Sequence, residues 1–341
     1  MNGERVRIGG PYFEDFEVGQ VFADAPALTL TAGHAAWYQA LCGDRLRLPL
    51  DHELGFAVTG RREPYAHPNL VSNVAIGQST GASQRVRGNL FYRGLVLLRP
   101  VHLGDTLRTR SRVVGLRQNR SRPGKPATGL VALKIEVENQ HGERVLDFWR
   151  CPMIPLRDPR VETGRGDSFD DIPSEIDLER LRSAVPSEWR LDGFEKLPSA
   201  CFADLVVGTT YEIEGRDTVT TAPELARLTL NIAATHTDPG AGAYKRRLVY
   251  GGHTISIACA QVSRALPNLV TIVGWRSCDH AAPVFEGDIL RTEVTLEGKH
   301  PLRDDCGLLD LRARVFSSTA ESSEVASDTM VLDWRFVALA A

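Results

Sequence analysis

Residues 231–238 read Asn231-Ile232-Ala233-Ala234-Thr235-His236-Thr237-Asp238. An imidazole titrates at about 6.5, so His236 is able to take or give a proton near neutrality. Asn231, five residues earlier, can hydrogen-bond a water or a carbonyl but cannot act as a base. Asp238 can orient the His236 ring. Asp238-Pro239-Gly240 is equally well explained as a turn, and His236 as a surface-loop residue held by Asp238. Further on stands Arg247-Leu248-Val249-Tyr250-Gly251-Gly252-His253, which opens an apolar helix. The first N–H groups of a helix have no intrahelical acceptor, and paired glycines let a ligand approach the backbone. Gly251 and Gly252 therefore suit an oxygen that gains negative charge, or simply a tight turn. Tyr250 and His253 flank that turn as candidate pocket residues, although Tyr250 also suits the core. Lys245-Arg246-Arg247 is a cationic cluster able to hold phosphates or a carboxylate; a solvated loop is the plainer reading for each member, Arg247 included.

Positioning such groups needs a frame, and the chain repeats one. Phe13-Glu14-Asp15-Phe16-Glu17-Val18-Gly19 is echoed by Phe202-Ala203-Asp204-Leu205-Val206-Val207-Gly208, at an offset of 189 residues. Pro100-Val101-His102-Leu103-Gly104-Asp105 is echoed by Pro283-Val284-Phe285-Glu286-Gly287-Asp288, at an offset of 183. Two landmarks in one order and register predict two copies of one module. Their expected bounds are 1–155 and 196–341, joined by a polar linker over 156–195 with a short helix near 176–182. Each copy predicts a helix (Ala32 to Leu41; Ala222 to Ala234), then a more apolar helix (Leu70 to Thr80; Gly252 to Leu266). Strand-like runs follow at 107–114, 130–137 and 145–153, and again at 290–296, 309–316 and 329–338. A buried helix wrapped by an antiparallel meander is a two-layer α+β architecture, the hotdog arrangement, here doubled.

Composition narrows the functional classes. The 341 residues carry 40 Lys+Arg against 43 Asp+Glu, a net charge of −3, so no global basic field invites nucleic acid. No apolar run reaches the roughly 18 residues of a membrane span, and the first residues lack a signal-peptide core. Six scattered cysteines suit a reducing, cytoplasmic setting. No metal-ligand spacing, Walker or Rossmann motif or nucleophile elbow is present.

The Phe-x-Asp-x-x-Val-Gly opening, the His236-x-Asp238 turn before the apolar helix and the Arg99-Pro100-Val101-x-x-Gly104-Asp105-Thr106-Leu107 entry resemble MaoC-like dehydratases. The doubled form, with the Arg247-to-His253 segment, resembles mesaconyl-CoA hydratases (β-methylmalyl-CoA dehydratases). The resemblance implies reversible hydration of a 2-enoyl-CoA, with a branched or dicarboxylic acyl chain such as mesaconyl among its substrates. It implies that His236, Asn231 and Asp238 handle water and proton, and that Tyr250, Gly251, Gly252, His253 and Arg247 line the substrate site. It needs no cofactor beyond the thioester substrate, and a homodimer is expected.

The family signature places Asp five residues before the His; here Asn231 stands there. The first copy keeps Gly43-Asp44, but His52 follows eight residues later, so the first-copy site is expected to be degenerate. A hotdog thioesterase and a non-catalytic acyl-CoA binder are the rival readings.

Overall fold

The computed structural model describes residues 4–120, 124, 126–242, 244–303, 306–318 and 328–341. The first copy runs β1 (Val21–Phe22), β2 (Leu28–Thr29), α1 (Ala32–Cys42), α2 (Arg47–Leu50), α3 (His52–Thr59), α4 (Pro68–Gln78), β3 (Gly88–Leu97), β4 (Thr106–Gln118), β5 (Thr128–Glu138) and β6 (Arg144–Pro155). After α5 (Leu178–Ser183) the second copy runs β7 (Thr210–Glu212), β8 (Asp217–Thr218), α6 (Ala222–Leu228), α7 (Gly251–Ala265), β9 (Leu269–His280), β10 (Ile289–Arg303), β11 (Cys306–Ser318) and β12 (Thr329–Ala340).

The strands form one antiparallel sheet in the order β1-β4-β5-β6-β3-β9-β12-β11-β10-β7, with β2 on β4 and β8 on β10. The copies join where β3 pairs β9, with Leu95 opposite Trp275 and Val96 opposite Gly274. This is a double hotdog of the α+β class.

The repeated turns obey one stereochemical demand. Gly19 and Gly208 sit at φ 90° and 92°, and Gly104 and Gly287 at 103° and 92°, where a side chain is strained. The Gly19 N–H donates to Val113 O and the Gly208 N–H to Leu296 O, each at 2.8 Å, so each turn pins the same point of its sheet.

Helices α4 and α7 are the two central helices. Every residue of α4 is buried, as is Gly252–Ser263 of α7. Several of their polar side chains are bonded internally. Gln78 Nε2 donates to Leu107 O and Gln261 Nε2 to Leu290 O, each at 3.0 Å. Asn73 Nδ2 donates across the helix pair to Ser256 Oγ at 3.0 Å. Asn73 and Ser256 are themselves 183 residues apart, so the approximate twofold axis passes between them.

Several elements depart from the sequence reading. Strands β3 and β9 were not expected; their continuously apolar stretches carry no period-2 signal. Helix α6 ends at Leu228 rather than Ala234, because Leu230 turns left-handed at φ 59° and Thr229 Oγ1 bonds back to Leu225 O at 2.8 Å. Residues 176–194 bury Ile176, Leu181, Val185, Trp189, Leu191 and Phe194 against Val270, Val273, Val337 and Leu339 of the sheet. That stretch is packed structure.

Candidate active site

Residues 229–236 hang over the end of α4, so the second copy's loop is held by the first copy. The Ile232 N–H donates to Thr80 Oγ1 at 3.0 Å and the Ala234 N–H to Gln84 O at 3.2 Å. A Cβ on Gly77 would stand 1.8 Å from Thr229 O, so only glycine permits this approach of helix and loop. Asn231 is buried, and its Oδ1 accepts the Ala233 N–H at 3.0 Å.

A single-turn helix, Ala234–His236, then presents His236. Its Nδ1 lies 2.9 Å from Leu248 O. A carbonyl only accepts, so Nδ1 carries the proton and Nε2 keeps its lone pair. Burial lowers the His236 pKa to about 4, opposed by the Leu248 bond and reinforced by the Arg150 charge. The ring is neutral at physiological pH. It sits 5.5 Å from the Tyr250 ring, whose hydroxyl donates to Asn73 O at 3.2 Å.

Tyr250 is the N-cap of α7, and Gly251 and Gly252 are its first two residues. Their N–H groups have no intrahelical acceptor. A Cβ on Gly251 would lie 2.5 Å from His280 Nε2, and one on Gly252 1.8 Å from Asn73 Oδ1. Burial lowers the His280 pKa to about 4, with the His236 charge adding to the effect.

A cavity of about 220 Å³ is lined by His236, Asn231, Tyr250, Gly251 and His280 from the second copy, and by Thr80, Ser83, Tyr92 and Arg150 from the first. Asp238, Gly252, His253 and Arg247 lie outside its wall. Asp238 is exposed, and its Oδ1 accepts the Gly240 N–H at 2.8 Å in an Asx turn. His253 is buried on the opposite side, with Nε2 3.3 Å from Leu41 O. Arg247 is engaged by Glu286.

The first copy holds a second cluster. Asp44 Oδ2 lies 3.1 Å from Nε2 of His67, the N-cap of α4, and both are buried. His52, the expected partner, is instead an exposed first residue of α3. Burial opposes the Asp44 charge, but His67 and the Leu46 N–H outweigh it and hold the carboxyl below its ordinary pKa. Cys259 lies close enough to make a three-ligand group with Asp44 and His67, all within 4.8 Å. The His67 tautomer argues against ligation there. Nδ1 accepts the Asn69 N–H at 3.1 Å, so the ring proton sits on Nε2, the atom that a metal would need.

Sequence reasoning missed Arg150, His280, Ser83, Tyr92 and His67. Arg150 left one trace, the single cation inside the largely apolar run Val145 to Ile154, which also carries Asp147. His280 left none, because it ends a strand that was itself unread.

Comparison with known proteins agrees with this geometry. Residues 2–265 match the family profile described as mesaconyl-CoA hydratase. A β-methylmalyl-CoA dehydratase of Chloroflexus aurantiacus is 32% identical over 315 residues, covering 89% of this chain and 87% of that protein. A mesaconyl-CoA hydratase of Cereibacter sphaeroides is 30% identical over 298 residues, covering 83% and 82%. Among solved structures, a conserved hypothetical protein of Mycobacterium tuberculosis, described as a double hotdog, is 47% identical with a TM-score of 0.90, covering 98% of this chain and 99% of that one. Doubled module, overhanging loop and family match converge: the chain belongs to the mesaconyl-CoA hydratase family of MaoC-like hydro-lyases, which hydrate and dehydrate CoA thioesters.

Proposed function

We propose that the cavity between the copies interconverts mesaconyl-CoA and β-methylmalyl-CoA, with His236 as the acid–base group. The observation that carries this is the neutral His236, whose free Nε2 shares a cavity with Gly251, the first residue of α7, whose N–H has no intrahelical acceptor. In hydration, the water hydroxyl joins the β-carbon and its proton passes to Nε2. The charge moved to the thioester oxygen is met by the backbone N–H donor of Gly251, the residue of the α7 N-terminus that lines the cavity. Nε2 then returns the proton to the α-carbon, so one water is added and nothing else is consumed. The Nδ1–H stays on Leu248 O and keeps the ring in one tautomer. Asn231 holds the water while its Oδ1 fixes the loop. Asp238 contributes the turn.

The thioester itself acidifies the α-carbon, so this reaction needs no cofactor. The reading includes a reducing, cytoplasmic setting, supported by six cysteines that form no disulfide, five of them buried. It includes a homodimer, for which the 58% exposed Trp37 of α1 offers an apolar contact. No described helix is long and apolar enough to cross a membrane.

The test is incubation with mesaconyl-CoA, read by mass spectrometry alongside a thiol assay. Gain of one water with no free CoA supports the proposal. Release of CoA thiol indicates a thioesterase instead, and binding with neither change indicates a binding protein.

A further inference from the structure

The family match leaves open how the acyl chain is selected, and the arginines nearest in sequence do not answer it. Arg247 is engaged by Glu286 outside the cavity wall. Arg150 is different in every respect. It lies on β6 of the first copy, is 2% exposed, and lines the cavity of the second copy's site. Its guanidinium donates to Ser83 Oγ, and Tyr92 is a second hydroxyl partner. Its Nε has no acceptor, and among the described residues no carboxylate lies within 4.0 Å.

Other buried or half-buried cations of this protein show the usual remedy. Lys134 and Arg180 share Asp147, and Arg291 is held by Glu293 and Asp328. A buried cation without a counter-charge carries a large desolvation penalty, and such groups are normally paired. Arg150 is left with neutral oxygens only, in a cavity open to a ligand. A planar guanidinium is matched to a carboxylate, which it binds through two parallel N–H donors.

We infer that Arg150 is the specificity-determining residue of the site: it pairs with a free carboxylate on the acyl chain and so selects dicarboxylic acyl-CoA thioesters over their alkyl isosteres. The inference rests on the hydratase reading for the location of the acyl chain, and it adds a division of labour. The second copy supplies the acid–base group, and the first supplies the counter-charge for the substrate.

The test separates this from catalysis by using two pairs of ligands with the full-length protein. Mesaconyl-CoA and tigloyl-CoA differ only by a carboxylate in place of a methyl group at the β-carbon. Methylsuccinyl-CoA and 2-methylbutyryl-CoA are their saturated counterparts, which bind but cannot be hydrated. Wild-type protein is expected to bind methylsuccinyl-CoA at least about 10²-fold more tightly than 2-methylbutyryl-CoA, and Arg150→Met to lose that preference. In turnover, Arg150→Met lowers kcat/KM for mesaconyl-CoA about 10²-fold, mainly through KM, and leaves tigloyl-CoA within a few-fold. If Arg150→Met fails to fold, Arg150→Lys carries the test, since it keeps the charge but loses the fork and should reduce the preference about tenfold.

Equal losses on both members of a pair would overturn the inference and make Arg150 an oxyanion or scaffold residue. An unchanged preference would overturn it as well. A carboxylate preference that depends on Arg150 in a protein that hydrates neither enoyl ester would uphold the inference and sink the hydratase reading.

Discussion

Asp44 and Asn231 occupy the same turn in the two copies. Each follows a left-handed residue, Gly43 at φ 65° and Leu230 at 59°. Each accepts the N–H two residues on, Leu46 at 2.6 Å and Ala233 at 3.0 Å. The helix N-cap facing each turn differs in a complementary way: His67 beside Asp44, Tyr250 in the copy that bears Asn231. The first copy has thus closed an acid and a base onto each other in the core. The second keeps an uncharged turn beside an open cavity, and its base comes from His236. The buried pair is structural in this account, and the open site does the chemistry.

Breaking the buried pair should therefore cost stability and spare turnover. Asp44→Ala strands His67 in the core and is expected to destabilise by about 3–5 kcal/mol. Its kcat per folded molecule should stay within twofold of wild type. Thermal melts and active-site-normalised kinetics check both; a loss of kcat in folded protein as large as that of His236→Ala would refute the division.

Gly77 sets how closely α4 approaches the loop carrying Asn231. Gly77→Ala would put a methyl 1.8 Å from Thr229 O, a contact that only a backbone shift relieves. The expected outcome is at least about 2 kcal/mol of lost stability together with a fall in kcat, because the displaced segment carries the site. Ala260, the residue 183 positions later on α7, should tolerate Ala260→Gly with only the ordinary cost of about 1 kcal/mol. Melting curves of the two variants check the contrast.

The pH profile follows from the neutral His236. Its folded pKa of about 4 means that kcat/KM should be flat from pH 8 down to about 5 and fall as the ring protonates through about 4. A midpoint at 6.5 would contradict this. Stability moves in the same direction. Burial, with the Arg61 charge adding to it, also holds His102 at about 4. Between about 4 and 6.5 the unfolded state binds protons that the native state does not. Stability is thus full above 6.5 and is lost as pH falls, by up to about 1.4 kcal/mol per pH unit for His102. Rates below pH 5 are best read after a rapid pH jump.

Asn231→Asp restores the acid of the family signature without disturbing the turn, because Oδ1 can still accept the Ala233 N–H. Activity on a straight-chain enoyl-CoA should stay level or rise. Steady-state comparison with wild type checks it, and a loss of more than tenfold would show that the Asn231 amide N–H is needed in the transition state.

Much of this was legible in the residues, and the limits have physical reasons. The paired Gly-Asp turns repeat because left-handed backbone demands glycine, so the doubled module and its hotdog class could be read directly. His236, Asn231, Tyr250 and Gly251 were readable because they sit close together in sequence. Arg150, Ser83 and Tyr92 were not, because they enter the site from the other copy, a proximity made only when the two copies pack through the β3–β9 junction and the α4–α7 pair. Asp238 was over-read: an Asx turn uses the same residue type two positions after a histidine. His67 was hidden behind His52, since the chain between Asp44 and α4 folds into α2 and α3 and delivers the more distant imidazole.

The central claim is that His236 carries the proton. The direct measurement is the single-turnover rate of mesaconyl-CoA hydration by wild type and His236→Ala, with binding of methylsuccinyl-CoA as the control for an intact site. The account predicts a rate about 10²–10⁴-fold lower with binding changed only a few-fold. A His236→Ala protein that hydrates mesaconyl-CoA at the wild-type rate would contradict it and move the chemistry to another group, with His280 across the cavity the first to test.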